Sequence, residues 1–204
     1  MAEMNAQDEF MRQAFKYGNR FMLLMWRLGM GRLMNAWPDQ AGQIMVITHT
    51  GRKSGLTRRT PVNYAIVDGD VYCTAAFGAQ AHWYKNIQAN PSVEVWLPDA
   101  RWMGTAEDVS DDPRRLEILR AVLIASGFAA PLFAGVSPRT MTDDALESLS
   151  KDYRLIRIRQ GEAAVGPGGP GDLAWIWPLI GVALLARLLR GGERPKKSST
   201  RQKA

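Results

Sequence analysis

Pro61-Val62-Asn63-Tyr64-Ala65-Ile66-Val67, then Asp68-Gly69-Asp70, then Val71-Tyr72-Cys73-Thr74-Ala75-Ala76: two runs rich in β-branched and aromatic residues flank an Asp-Gly pair. Asp and Gly both accept the positive φ of a two-residue hairpin turn, so the stretch predicts an antiparallel hairpin. The same texture continues on both sides. Upstream, Ile44 to Thr48 is a short β-branched strand, joined to the hairpin by the polar, basic loop Thr50 to Thr60. Downstream, His82 to Ala89 reads as a short helix stopped by Asn90-Pro91. Val93, Val95 and Leu97 alternate with Glu94 and Trp96, and Trp102 to Val109 returns after a turn at Pro98-Asp99. Asp111-Asp112-Pro113 opens a helix to about Ser126, a loop rich in Phe, Pro and Gly reaches Arg139, a helix covers Asp143 to Leu149, and Tyr153 to Arg159 is a last strand. Near the start, Phe10, Ala14, Tyr17, Phe21, Met25 and Leu28 step by three and four, an apolar stripe on one amphipathic helix. Five or six short antiparallel strands with interspersed helices predict an α+β domain around a small barrel.

The chain of 204 residues is 46% hydrophobic and 23% charged, which supplies a core for one domain and excludes wholesale disorder. Cys73 is the single cysteine, so no intramolecular disulfide exists. His49, Cys73 and His82 are scattered, with no metal-ligand spacing, and no metal is expected. Met1 to Glu9 is polar and does not read as a signal peptide. The net charge of +6 is confined to the end of the chain, where Arg187, Arg190, Arg194, Lys196, Lys197, Arg201 and Lys203 face only Glu193. A neutral body with a basic tail is a poor nucleic-acid binder, because phosphate neutralisation needs a basic face on the fold.

Composition divides the chain into a barrel domain (1–160), a Gly/Pro linker (161–172), a hydrophobic segment (173–190) and a basic tail (191–204). Leu173 to Ala186 carries no charge, and Trp175, Trp177, Arg187 and Arg190 are suitable interfacial anchors. The expectation is a C-terminal hydrophobic membrane helix. At 1.5 Å per residue Leu173 to Leu189 spans about 26 Å, short of a ~30 Å hydrocarbon core, and Pro178 interrupts it. It is therefore expected to dip into the cytoplasmic leaflet, with the tail on anionic headgroups; a tail-anchored crossing and a helix docked in a partner's groove are the alternatives.

Two constellations carry polar chemistry. Thr50-Gly51-Arg52-Lys53-Ser54-Gly55-Leu56-Thr57-Arg58-Arg59-Thr60-Pro61 gathers four cations on a loop with accessible N–H groups, a grip for phosphate or carboxylate, or else a solvated hairpin tip. Ala75-Ala76-Phe77-Gly78-Ala79 precedes His82-Trp83-Tyr84-Lys85-Asn86, where small residues admit a flat ring and aromatic ones can wall it. No Ser-His-Asp order, paired-carboxylate site or activated cysteine can be assembled, so hydrolytic chemistry lacks its parts. A bound redox cofactor would carry the reaction instead.

These blocks, with Asp68-Gly69-Asp70 and Ala89-Asn90-Pro91-Ser92-Val93-Glu94-Val95, resemble the deazaflavin-dependent nitroreductase and quinone reductase family over about Asp8 to Arg159. The resemblance implies a split β-barrel of the FMN-binding type and coenzyme F420, a 5-deazaflavin bearing a phosphate and an oligoglutamate tail, with FMN as the alternative. Arg52, Lys53, Arg58 and Arg59 would meet that polyanion, with Ser54, Thr60, Trp83 and Asn86 in the same site. Pro61, Ala75, Ala76, Phe77 and Gly78 would line the ring. On the reading of the residues, the catalytic proton comes from Tyr84 or from water. Phe128 and Phe133 fall where better-known members place substrate-contacting tyrosines, which implies a greasier acceptor pocket. The implied activity is hydride transfer from reduced F420 to a lipophilic acceptor, such as a quinone or nitro compound, at the cytoplasmic face of the cell membrane. A non-catalytic carrier of haem or a hydrophobic ligand is the other reading.

Overall fold

The computed structural model describes residues 17–38, 42–127 and 137–191. Helix α1 (17–27) and a single turn α2 (Gly31–Met34) lead into β1 (Ile44–Thr50), β2 (Thr57–Val67) and β3 (Asp70–Ala75). A 3-10 turn at Gly78–Gln80 precedes α3 (His82–Ala89), β4 (Ser92–Trp96), β5 (Arg101–Asp108), α4 (Arg115–Ala125), α5 (Asp143–Leu149), β6 (Arg154–Ala163) and α6 (Ile176–Gly191). The six strands close into a barrel in the order β1-β2-β3-β6-β5-β4, antiparallel throughout.

The deciding hairpin turns at Asp68 (φ 51°) and Gly69 (φ 88°), both left-handed as the primed two-residue turn demands, with Val67 paired to Asp70. Half of the expected basic loop is strand, because β2 begins at Thr57 and runs through Pro61. Proline is tolerated there because residues 57–63 pair with β1 alone, while β3 pairs only from Tyr64 onward.

Alternation sorts the side chains. Met45, Ile47, Val71, Cys73, Val93, Val95, Trp102, Ile156 and Ile158 fill the barrel, with Ile87 and Tyr84 of α3 packed among them. Outside, Ile118, Leu119 and Val122 of α4 cover Ala65, Tyr72 and Leu155. On another outer face, Trp26 of α1 packs on Val46 and Trp96, with Leu23 beside it. The expected stripe of α1 is therefore not its packed face: Tyr17 and Phe21 are 64% and 61% exposed, and Phe10 and Ala14 lie outside the described residues.

The expected C-terminal membrane helix is corrected. Among the described residues no helix is long and apolar enough to cross a membrane. Helix α6 has 16 residues and starts only at Ile176. Residues 171–175 are held in turns, because Gly171 N–H donates to the Trp26 carbonyl (2.9 Å) and Leu173 N–H to the Arg27 carbonyl (2.8 Å). Asp172 accepts three hydrogen bonds from Nε and Nη2 of Arg27 (2.9–3.1 Å), and Trp177 Nε1 donates to the Leu28 carbonyl (2.9 Å). These contacts leave the first residues of the apolar run unable to continue the helix toward its N-terminus. The Gly/Pro stretch before them lies along the barrel: Arg101 donates to the Gly166 carbonyl (2.7 Å) and Arg59 to the Gly168 carbonyl (3.0 Å).

Candidate functional site

The basic loop is the tip of the β1–β2 hairpin and is closed by its own backbone. Gly51 N–H donates to the Leu56 carbonyl and Gly55 N–H to the Gly51 carbonyl, each at 2.8 Å. Gly55 sits at φ 65°, where a side chain would be strained. Ser54 Oγ accepts from Leu56 N–H (3.4 Å), so it serves the turn itself.

Arg52 is anchored. Its backbone N–H (3.2 Å) and its guanidinium (2.9 Å) both donate to Asn86 Oδ1, and the guanidinium also reaches the His82 carbonyl (3.4 Å). Two donors on one oxygen fix the Asn86 amide, so its Nδ2 faces His49 Nδ1 at 3.3 Å. His49 Nδ1 then accepts, and Nε2–H donates to Thr60 Oγ1 at 3.1 Å. Burial pushes the His49 pKa down to about 4, with the Arg58 charge in the same sense and the Thr50 carbonyl opposing, so the ring is neutral near pH 7. The chain Thr60–His49–Asn86–Arg52 ties β2, β1, α3 and the tip together.

Strand register separates the neighbouring arginines. Arg58 pairs with His49, on the side of the ring, and is exposed. Arg59 pairs with Thr48 on the other face, where it stacks over Trp96 (5.0 Å to the ring centroid) and donates to Gly168. The structure thus brings together Arg52, Arg58, Thr60 and Asn86, with Lys53 exposed at the same tip, and places Arg59 on the barrel's outer surface. Pro61 opposes Val46 on that outer surface too.

The remaining expected residues have their own surroundings. Ala75 points into the barrel core, while Ala76 and Phe77 are exposed. Gly78 is buried at φ 57°, and a Cβ there would run into the Asp152 carbonyl oxygen, so it is the 150s loop that demands glycine. Trp83 is half-buried against the barrel core. The Tyr84 hydroxyl donates to Asp108 Oδ2, and burial first, then that hydrogen bond, pushes its pKa up to about 12. Two residues apart on α3, Tyr84 and Asn86 point about 200° away from each other. Phe128 and Phe133 lie outside the described residues. From sequence His49 stands out only as one of three scattered potential metal ligands; the signal that marks it is a polar group at an inward position of β1, two residues before Gly51.

Arg52, Lys53 and Arg58 have no carboxylate partner among the described residues. Three cations concentrated at an accessible tip are a donor set suited to a phosphate and carboxylate tail. Residues 20–129 match the F420H(2)-dependent quinone reductase family, which is more than half of the chain. Similar solved structures include an F420-H2 dependent reductase (FDR-A), at 24% identity and a TM-score of 0.41 over 57% of this chain and 92% of that one. An F420 reductase is 20% identical, with a TM-score of 0.42 over 64% of this chain and 94% of its own. The heme storage protein HutZ from Vibrio cholerae is 13% identical, with a TM-score of 0.40 over 64% and 89%. The chain belongs to the F420H(2)-dependent quinone reductase family: it is an oxidoreductase, and coenzyme F420 is its cofactor.

Proposed function

We propose that the protein passes a hydride from reduced F420 to a lipophilic acceptor, a quinone or an apolar nitro compound, while attached to the cytoplasmic face of a membrane. The observation that carries the reading is the cationic tip, whose uncompensated Arg52, Lys53 and Arg58 match a polyanionic cofactor tail. When bound, F420 supplies the hydride chemistry. The chain's own residues would bind and orient: the exposed Arg58 and Lys53 side chains would hold the tail, with Arg52 presented at a fixed angle by Asn86.

Attachment without crossing is supported by apolar surface that the barrel leaves uncovered. Tyr17, Phe21 and Leu24 step by four and three on α1 and are 44–64% exposed. On α6 Leu179, Val182, Leu184, Leu185, Leu188 and Leu189 are all more than half exposed, and the basic tail that follows complements anionic headgroups. An acceptor dissolved in that membrane would meet the enzyme at the same surface.

The test follows oxidation of reduced F420 by its absorbance, under exclusion of oxygen, with a menaquinone analogue and with a water-soluble quinone. Turnover is expected with the apolar acceptor, and Arg58→Ala is expected to weaken F420 binding at least tenfold, about 1.4 kcal/mol, with a loss that shrinks as salt is added. Tight F420 binding without turnover of any quinone or nitro compound would overturn the activity. Unchanged affinity in Arg58→Ala and Arg52→Ala would overturn the site.

A further inference from the structure

We infer that His49 is a positioning residue for the anionic tail of the cofactor: through Asn86 it fixes the direction in which the basic tip presents the Arg52 guanidinium. The inference rests on the reading that the tip holds the tail of F420. A histidine 4% exposed next to the end of β1 and an asparagine 7% exposed on α3 are costly to bury unless their polar atoms are paired. Here the pairing runs in one line. Thr60 Oγ1 holds His49 Nε2, His49 Nδ1 holds Asn86 Nδ2, and Asn86 Oδ1 holds both the backbone N–H and the guanidinium of Arg52.

Asn86 alone could hold Arg52 in only one of its two amide orientations. In the flipped one its NH2 would face the guanidinium and the Arg52 N–H, which offer donors only. His49 Nδ1, accepting from Nδ2 while Nε2–H donates to Thr60, holds that same orientation from behind. Both guanidinium contacts come from one nitrogen, Nη1, which donates to Asn86 Oδ1 (2.9 Å) and reaches the His82 carbonyl (3.4 Å), so the other nitrogen at the end of the guanidinium is left for an anion. His49 is 4% exposed, so its effect reaches the cofactor through its neighbours, and the Arg52→Ala background separates the route through Asn86 from the cross-strand neighbour Arg58.

The experiment is a double-variant cycle read as F420 affinity, by fluorescence titration of the full chain, with a tail-free deazaflavin as second probe. His49→Leu is expected to weaken F420 about tenfold and to leave the tail-free deazaflavin unchanged. In the Arg52→Ala background His49→Leu is expected to cost nothing further, since the group it aims is gone. His49→Gln, whose amide can donate to Thr60 and accept from Asn86, is expected to retain most of the affinity. Asn86→Ala should reproduce His49→Leu, which keeps the test open if the leucine variant folds poorly. Losses that add fully in the double variant, or an equal loss for the tail-free probe, would overturn the relay while leaving the Arg58 result, and with it the site, standing. If neither Arg52→Ala nor Arg58→Ala weakens F420, the tip does not hold the tail, and the relay falls together with the site.

Discussion

Gly78 and His49 show how single positions in this chain are dictated by neighbours far away in sequence. At Gly78 the controlling atom is the Asp152 carbonyl oxygen, and the left-handed φ excludes a side chain a second time. The small-residue run around it was legible, but its reason was not, because a glycine that admits a ring and one that admits a backbone look alike in sequence. The four cations were equally legible as a cluster. Period-two alternation already divides Arg58 from Arg59, yet the partner that occupies Arg59, the Gly168 carbonyl, lies 109 residues away and leaves no local trace. His49 carries a pH signature. Its ordinary value of 6.5 falls to about 4 in the fold, so between those values the unfolded chain binds the proton that the folded one refuses. Stability is expected to be complete on this account above pH 6.5 and to decline as the pH falls toward 4, by up to roughly 3 kcal/mol. Thermal melts across that window should show the slope in the parent and a flattened profile in His49→Gln. A parent with no slope there would show that the ring is charged or solvated in the fold.

The stretch from Ala164 to Leu173 behaves as an element although it has no regular structure. A Gly- and Pro-rich composition reads as a tether, because each such residue favours an open, unpaired chain. Here its polar groups are taken up one after another: Ala164 N–H by the Arg101 carbonyl, the Gly166 and Gly168 carbonyls by Arg101 and Arg59, and the Asp172 carboxylate by Arg27. At Gly169 the backbone lies against the Arg101 guanidinium, and a Cβ there would make that side chain shift. Arg101 is steadied in turn by Glu94, which also accepts from Trp96 Nε1 (2.7 Å). Arg101→Ala is expected to release the strap locally, with exchange of the Gly171 and Leu173 amides accelerated at least tenfold and the barrel amides of β1 unchanged. Hydrogen exchange by mass spectrometry reads this directly. Uniform acceleration would mean that Arg101 stabilises the whole barrel, and no change would mean that Arg27 and Asp172 hold the strap alone. The strands themselves were readable from alternation and from Asp68-Gly69. The strap was not, since its contacts are made by arginines on β2 and β5 and by α1 with backbone atoms that every sequence offers.

At the scale of the whole molecule, helix α6 projects from the strap with apolar side chains exposed on every side, which in water leaves hydrophobic surface unpartnered. Binding to vesicles with anionic lipid is the expected outcome, measured by flotation of the full chain. Leu185→Asp with Leu188→Asp should lower the bound fraction at least fivefold while F420 affinity stays within twofold, because both leucines are exposed on α6 and neither belongs to the tip. Concentration-dependent self-association without flotation would assign that surface to a second copy instead. Strand order was the least legible feature. Nothing in the sequence of β6 announces that it inserts between β3 and β5, or that β1 must find β4, because each pairing is between edges equally able to accept any extended chain. That order has a consequence for the chain as it leaves the ribosome. Until residues 154–163 emerge, β3 and β5 each present a bare edge, and the nascent barrel is an open sheet with two places to stick to a neighbour. The last strand to be made is the one that abolishes both edges at once, so the interval between synthesis of β5 and of β6 is the protein's window of vulnerability to aggregation.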